Sequence, residues 1–170
     1  MFMFYSGQRF CEACQAGQIY NNDILCIDCD TGFYSTGNET TCTICLIGKY
    51  QNEKGTTYCL PCLPGKYQDE EGRNGCVECS SGRQFNSSVT LGTSALSCLA
   101  CSKGQYQPNN GSTFCLPCLT GSFENQEGSS ECNDCPVGFS NGNTKQTMCN
   151  NCTAGKYQDE TIQSRCKGMS

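Results

Sequence analysis

Histidine and tryptophan are absent from this 170-residue chain, and Leu, Ile, Val and Phe together number only 26. That fraction, about 15%, lies under the roughly 20% below which chains rarely fold by apolar burial. One large hydrophobic core is therefore excluded. Without histidine and with its carboxylates in turns, the chain carries no nucleophile with an identifiable base, so an enzyme is not expected. No run of 18 apolar residues exists to span a bilayer. The net charge is −5 and the 11 Lys and Arg are scattered singly, which argues against nucleic acid and anionic membrane surfaces as partners. Met1-Phe2-Met3-Phe4-Tyr5 is apolar but too short for a signal peptide and lacks a basic flank, which reads as a start inside a longer secreted protein.

What the chain has instead is cysteine, 19 in all. Eighteen form nine Cys-x-x-Cys pairs beginning at Cys11, Cys26, Cys42, Cys59, Cys76, Cys98, Cys115, Cys132 and Cys149, and Cys166 begins a tenth. The steps run from 15 to 17 residues except for one of 22 between Cys76 and Cys98. Aligned on the first cysteine, the unit reads Cys-x2-Cys-x2-Gly-x-Tyr/Phe-x4-Gly-x3-Cys. The first glycine recurs in every unit, as Gly17, Gly32, Gly48, Gly65, Gly82, Gly104, Gly121, Gly138 and Gly155. Such a run predicts positive φ or a close backbone approach that a Cβ would obstruct. The aromatic is Tyr34, Tyr50, Tyr67, Tyr106, Phe123 or Tyr157, displaced by one place to Tyr20, Phe85 and Phe139 in the other units. Its expected task is packing over a neighbouring disulfide.

The pattern predicts a small disulfide-rich, mainly β fold: an elongated tandem array of short hairpins with essentially no helix. Each strand pair runs from Gly-x-Tyr through a polar turn into the next cysteine. A disulfide needs Cα atoms about 4.4–6.8 Å apart, which the two ends of a hairpin provide. This favours a sequential ladder: Cys14–Cys26, Cys29–Cys42, Cys45–Cys59, Cys62–Cys76, Cys79–Cys98, Cys101–Cys115, Cys118–Cys132, Cys135–Cys149 and Cys152–Cys166, with Cys11 unpaired or paired outside. Pairing first-to-first and second-to-second between units is the rival and strands Cys152. Each loop of about 15 residues contributes on the order of 3 kcal/mol in the chain-entropy model. Ribbon-type zinc is the chemical competitor, opposed by the odd cysteine count and the lack of histidine. A thioredoxin-like role for Cys59-Leu-Pro-Cys62 or Cys115-Leu-Pro-Cys118 lacks its βαβ context.

Sequons at Asn38, Asn86, Asn110 and Asn151 agree with a secretory, extracellular or cell-surface address and N-linked glycans. Asn38, Asn86 and Asn110 fall in expected loops; Asn151, between two half-cystines, is the least favoured. The acidic groups Asp69-Glu70-Glu71 and Asp159-Glu160 read as solvated turns, weak calcium contact being the sharper alternative. No cofactor is expected. The organisation is an irregular lead over 1–10, nine units over 11–166 with an insertion within 80–97, and a tail over 167–170.

The run Cys59-Leu-Pro-Cys-Leu-Pro-Gly-Lys-Tyr-Gln-Asp-Glu-Glu-Gly72 resembles the ephrin-receptor-like cysteine-rich repeat of the growth-factor-receptor and tumour-necrosis-factor-receptor-like group. The likeness extends from Cys11 to Cys166, with Gln84, Ser140 and the long fifth unit as departures. It implies an extracellular, disulfide-laddered, non-enzymatic module of large surface or secreted proteins. The function expected is a structural one: a rod-like stalk, matrix or filament segment, on the order of 100 Å long if units advance by about 10 Å, partnered by other protein domains or copies of itself. Each unit would touch only its neighbours. A ligand-binding receptor segment and a zinc-binding array are the alternatives.

Overall fold

The computed structural model describes residues 13–21 and 25–168. Among the described residues, nine antiparallel two-stranded hairpins follow one another along the chain. The first pairs Gln18–Asn21 with Leu25–Asp28, the second Phe33–Tyr34 with Thr43–Ile44, and the third Lys49–Tyr50 with Leu60–Pro61. The fourth pairs Lys66–Tyr67 with Val77–Glu78, and the fifth Arg83–Phe85 with Cys98–Ala100. The sixth, seventh, eighth and ninth begin at Gln105, Ser122, Phe139 and Lys156 and repeat the two-residue strands of the third. By internal contacts the chain divides into two compact units, the first 1–63 with 67–77 and the second 64–66 with 78–170.

The recurrent glycine makes each hairpin possible. In the third, Lys49 N–H donates to the Leu46 carbonyl across Leu46-Ile47-Gly48-Lys49, with Gly48 at φ +78°. A positive φ at the third position is the type II turn, which favours glycine there. The same bond recurs from Gln18 to Gln15, Phe33 to Asp30, Gln105 to Ser102 and Lys156 to Thr153. The turn swings the chain back so that Cys62 N–H meets the Gly48 carbonyl at 2.8 Å, clamping the returning strand.

Nine disulfides close these hairpins: Cys14–Cys26, Cys29–Cys42, Cys45–Cys59, Cys62–Cys76, Cys79–Cys98, Cys101–Cys115, Cys118–Cys132, Cys135–Cys149 and Cys152–Cys166. Their Cα atoms lie 5.4–5.8 Å apart, inside the range an unstrained bridge requires. Cys11 lies outside the described residues. The second cysteine of each pair from Cys14 to Cys135 is 0–3% exposed, so sulfur occupies the place that Leu and Ile hold in a larger domain.

The extra residues of the fifth unit form a loop between Phe85 and Cys98 that ends in a single 3-10 turn, Ala95–Ser97. It is the one helical element among the described residues.

Candidate functional site

The repeated chemistry lies between hairpins rather than in any one of them. Seven of the nine recurrent glycines donate their N–H to a carbonyl of the next hairpin, among them Gly32 to Gln51, Gly48 to Gln68, Gly82 to Gln107 and Gly104 to Glu124, at 2.7–2.8 Å. A second bond reaches farther. Gly55 N–H, at the tip of the third hairpin, donates to the Cys29 carbonyl at the end of the first, and Gly72 of the fourth does the same to Cys45 of the second. Gly111, Gly128, Lys145 and Ile162 repeat it onto Cys79, Cys101, Cys118 and Cys135.

This contact corrects the expectation that each unit touches only its neighbours: every such tip seats two hairpins back. It also leaves no room for a side chain at the recurrent glycines that lie under a tip. A Cβ on Gly17 would fall inside the Gly55 carbonyl, one on Gly32 inside that of Gly72, and one on Gly104 inside that of Lys145. A Cβ on Gly138 or Gly155, in contrast, meets none of the described residues within 4 Å.

A buried polar residue three places after the glycine completes the seam, and sequence reasoning missed it. Gln51, Gln68, Gln107 and Gln158 are 2–5% exposed. Each amide Nε2 donates to the carbonyl seven residues on (Tyr58, Gly75, Phe114 and Arg165), and each Oε1 accepts the N–H two residues on. The side chain thus replaces water for both arms of a turn that has no core to lean on. The signal was present as the repeated Tyr-Gln at 50–51, 67–68, 106–107 and 157–158, beside an aromatic that drew the attention.

The aromatics carry less than expected. Tyr34, Tyr50, Tyr67, Tyr106 and Phe123 are half-buried, and Tyr157 is 44% exposed. Phe85 is not a displaced member of this set: it occupies the glutamine position and is buried. Tyr20 holds that position in the first hairpin, where its hydroxyl accepts the Cys14 N–H at 3.2 Å. Gln84, standing where an aromatic would be, accepts the Cys115 N–H through Oε1 at 2.9 Å.

The half-buried aromatics do line shallow grooves between consecutive hairpins. One is built from Tyr34, Ile44, Leu46, Lys49 and Tyr58 in the first compact unit. An equivalent in the second unit uses Tyr106, Leu119, Ser122 and Asp134, with Ile162 at its edge. Aromatic and leucine occupy the same repeat positions in both.

The sequon asparagines are placed as follows. Asn38 is exposed at φ +61°. Asn86 is half-buried and its Oδ1 accepts the Ser88 N–H, while exposed Asn110 accepts the Ser81 N–H at 2.8 Å. Asn151 is exposed within the strand Asn150–Asn151 of the eighth hairpin. Of the acidic clusters, Glu70 pairs with Arg73, and Asp159 and Glu160 share the Lys167 ammonium at 2.7 and 3.4 Å. That ammonium holds the Asp159 carboxyl below its ordinary value, and the hydrogen bond to Asp159 raises Lys167 in turn. Exposed pairs of this kind contribute little to stability. Among the described residues no group of three or more His, Cys, Asp or Glu is arranged to hold a metal, and all eighteen described cysteines are bridged, leaving no thiolate among them for zinc. No described helix is long and apolar enough to cross a membrane.

The sequence model of the family described as tyrosine-protein kinase ephrin type A/B receptor-like matches residues 32–66, 89–135 and 115–148, more than half of the chain. No curated protein matches it.

Proposed function

The chain belongs to the tyrosine-protein kinase ephrin type A/B receptor-like family, and from that premise we propose that it is a non-enzymatic extracellular spacer, a stalk, matrix or filament segment bearing N-linked glycans. The family's cysteine-rich repeat is a receptor-type module without catalytic machinery, which supports the non-enzymatic reading. The observation that carries the spacer is the double tie of the seams within each compact unit: one backbone bond to the next hairpin and one to the next but one. A chain of independent beads would need neither. Nine disulfides imply an oxidising compartment, and exposed Asn38, Asn110 and Asn151 leave room for glycan.

A spacer holds each compact unit at a fixed length. Fluorophores at two exposed positions of one compact unit, read by single-molecule energy transfer, should give one narrow distribution that broadens on reduction. A broad distribution in the oxidised chain would sink the proposal. Shifts in mass on glycosidase treatment of secreted material test the glycans, and bound zinc or free thiols in the native chain would overturn the compartment.

The grooves at Tyr34 and Tyr106 favour a second reading, a ligand-binding segment of a receptor. It predicts that Leu46→Asp and Leu119→Asp abolish capture of a protein ligand while leaving the disulfides intact. A spacer would keep the distance within each unit in both variants.

A further inference from the structure

Three Asn-Gly steps occur in the chain, at Asn74-Gly75, Asn110-Gly111 and Asn141-Gly142, and the fold treats them differently. Asn-Gly is chemically labile, because an unhindered glycine nitrogen can attack the preceding carboxamide carbon. At Asn110-Gly111 both reactants are held. The Gly111 N–H donates to the Cys79 carbonyl at 2.7 Å, and Asn110 Oδ1 accepts the Ser81 N–H at 2.8 Å. At Asn141-Gly142 the asparagine is 1% exposed, its Nδ2 donating to the Ser122 carbonyl at 2.8 Å and its Oδ1 accepting the Asn143 N–H at 3.1 Å. Among the described residues Asn74 has neither protection. Its side chain is exposed, and the space beside Gly75 is empty within 4 Å of where a Cβ would be.

We propose that Asn74-Gly75 is a site of spontaneous deamidation and isoaspartate formation that the folded chain leaves open while it locks the other two. The Gly75 nitrogen bonds to Asn74 Cγ and loses its proton to solvent base, and ammonia leaves with the former amide nitrogen to give a succinimide. Water then opens the ring at either carbonyl, leaving an aspartyl or an isoaspartyl residue in place of the asparagine. The net change is addition of water and loss of ammonia, with one negative charge gained. The consequence reaches the seam, since Gly75 supplies the carbonyl that Gln68 Nε2 holds at 2.7 Å. An isoaspartyl link adds a backbone methylene in the residue preceding that carbonyl's and pulls the carbonyl out of register with the buried glutamine. The fourth hairpin then carries an age mark that loosens its own turn.

The test is incubation of the secreted, oxidised chain at mildly alkaline pH and 37 °C, with non-reducing peptide mapping over weeks and a parallel sample reduced and alkylated before incubation. In the oxidised chain the Asn74 peptide should gain one mass unit and split into two isomers, several-fold faster than the Asn141 peptide and the unglycosylated Asn110 peptide. In the unfolded chain all three should react at similar rates. Gly75→Ala should slow Asn74 several-fold without altering the disulfide map. Equal rates at the three sites in the oxidised chain would overturn the proposal, as would an Asn74 that stays intact while its unfolded counterpart converts.

Discussion

The tips of the sixth and seventh hairpins carry Gly111 and Gly128, while those of the eighth and ninth carry Lys145 and Ile162. All four adopt φ between +60° and +76°. All four donate to a cysteine carbonyl two hairpins back, on Cys79, Cys101, Cys118 and Cys135. For glycine this conformation is free, whereas for an L-residue it costs about 1–2 kcal/mol, and a β-branched residue there is an outlier. The same backbone is therefore reached with and without a permissive residue. Local preference does not decide the tip; the long-range bond and the seat beneath it do.

Removing the crosslinks should erase that comparison altogether. Reduction and capping of all nine disulfides is expected to abolish the fold, read as collapse of amide dispersion, since little apolar burial remains to oppose chain entropy of about 1–2 kcal/mol per residue. A chain that stays ordered after capping would refute the sulfur-based account.

Occupied and open seats should separate next. Gly104→Ala faces both a positive φ and the Lys145 carbonyl, and is expected to cost about 3 kcal/mol or more, in the range of severe local disruptions. Gly155→Ala, with φ +80° but nothing above it, should cost only about 1–2 kcal/mol for the backbone. Equal midpoints in denaturant would show that the seat contributes nothing.

Substitution at the tip gives a smaller effect of opposite sign. Ile162→Gly removes a strained β-branched residue that is 53% exposed and so loses little packing. A net gain of about 1 kcal/mol is expected, reduced somewhat by glycine's freedom in the unfolded chain. Thermal unfolding that shows a loss would mean that its edge of the Tyr106 groove matters more.

Glu124 tests the glutamine position. It is buried at 4% and accepts the Gln126 N–H at 2.8 Å, yet as a carboxylate it lacks the amide donor that Gln51 and Gln68 direct to the carbonyl seven residues on. Its Oε2 accepts instead from Asn133 Nδ2 at 3.2 Å, a bond that Glu124→Gln would lose. The clamp is therefore read by adding Glu124→Gln to Asn133→Ala, which should raise stability over Asn133→Ala alone by about 0.5–1.5 kcal/mol. Equal melting curves for those two variants would count against the clamp.

The smallest effect belongs to Asp159. Its carboxyl titrates below the ordinary value of 3.8 because Lys167 donates to it. The depressed value means that any stabilisation is present above pH 3.8 and disappears as acid protonates the group. The pair is solvent-exposed, so the midpoint of unfolding should scarcely move, while carboxyl NMR should show the titration returning toward normal in Lys167→Ala.

Much of this architecture was legible in the residues. Cysteine spacing and hairpin reach together pointed to second-to-first pairing, and the recurrent glycine pointed to a backbone without room for a Cβ. The obstructing atom was not legible. For Gly17 it is the Gly55 carbonyl, 38 positions on and two hairpins away, and nothing in a 17-residue period marks a partner at twice that distance. The glutamine clamp was visible as a repeated letter but not as a buried group, because hydropathy ranks it with the solvent-facing residues around it.

Taken alone, the order of residues determined that this chain would be built from short bridged loops, because so few apolar side chains left covalent closure as the way to offset chain entropy. Three-dimensional packing decided which loop rests on which, and which glycines have a carbonyl above them. It also decided that a lysine and an isoleucine would take a glycine's conformation. The reason is that backbone hydrogen bonds between distant turns carry no signature in side-chain identity.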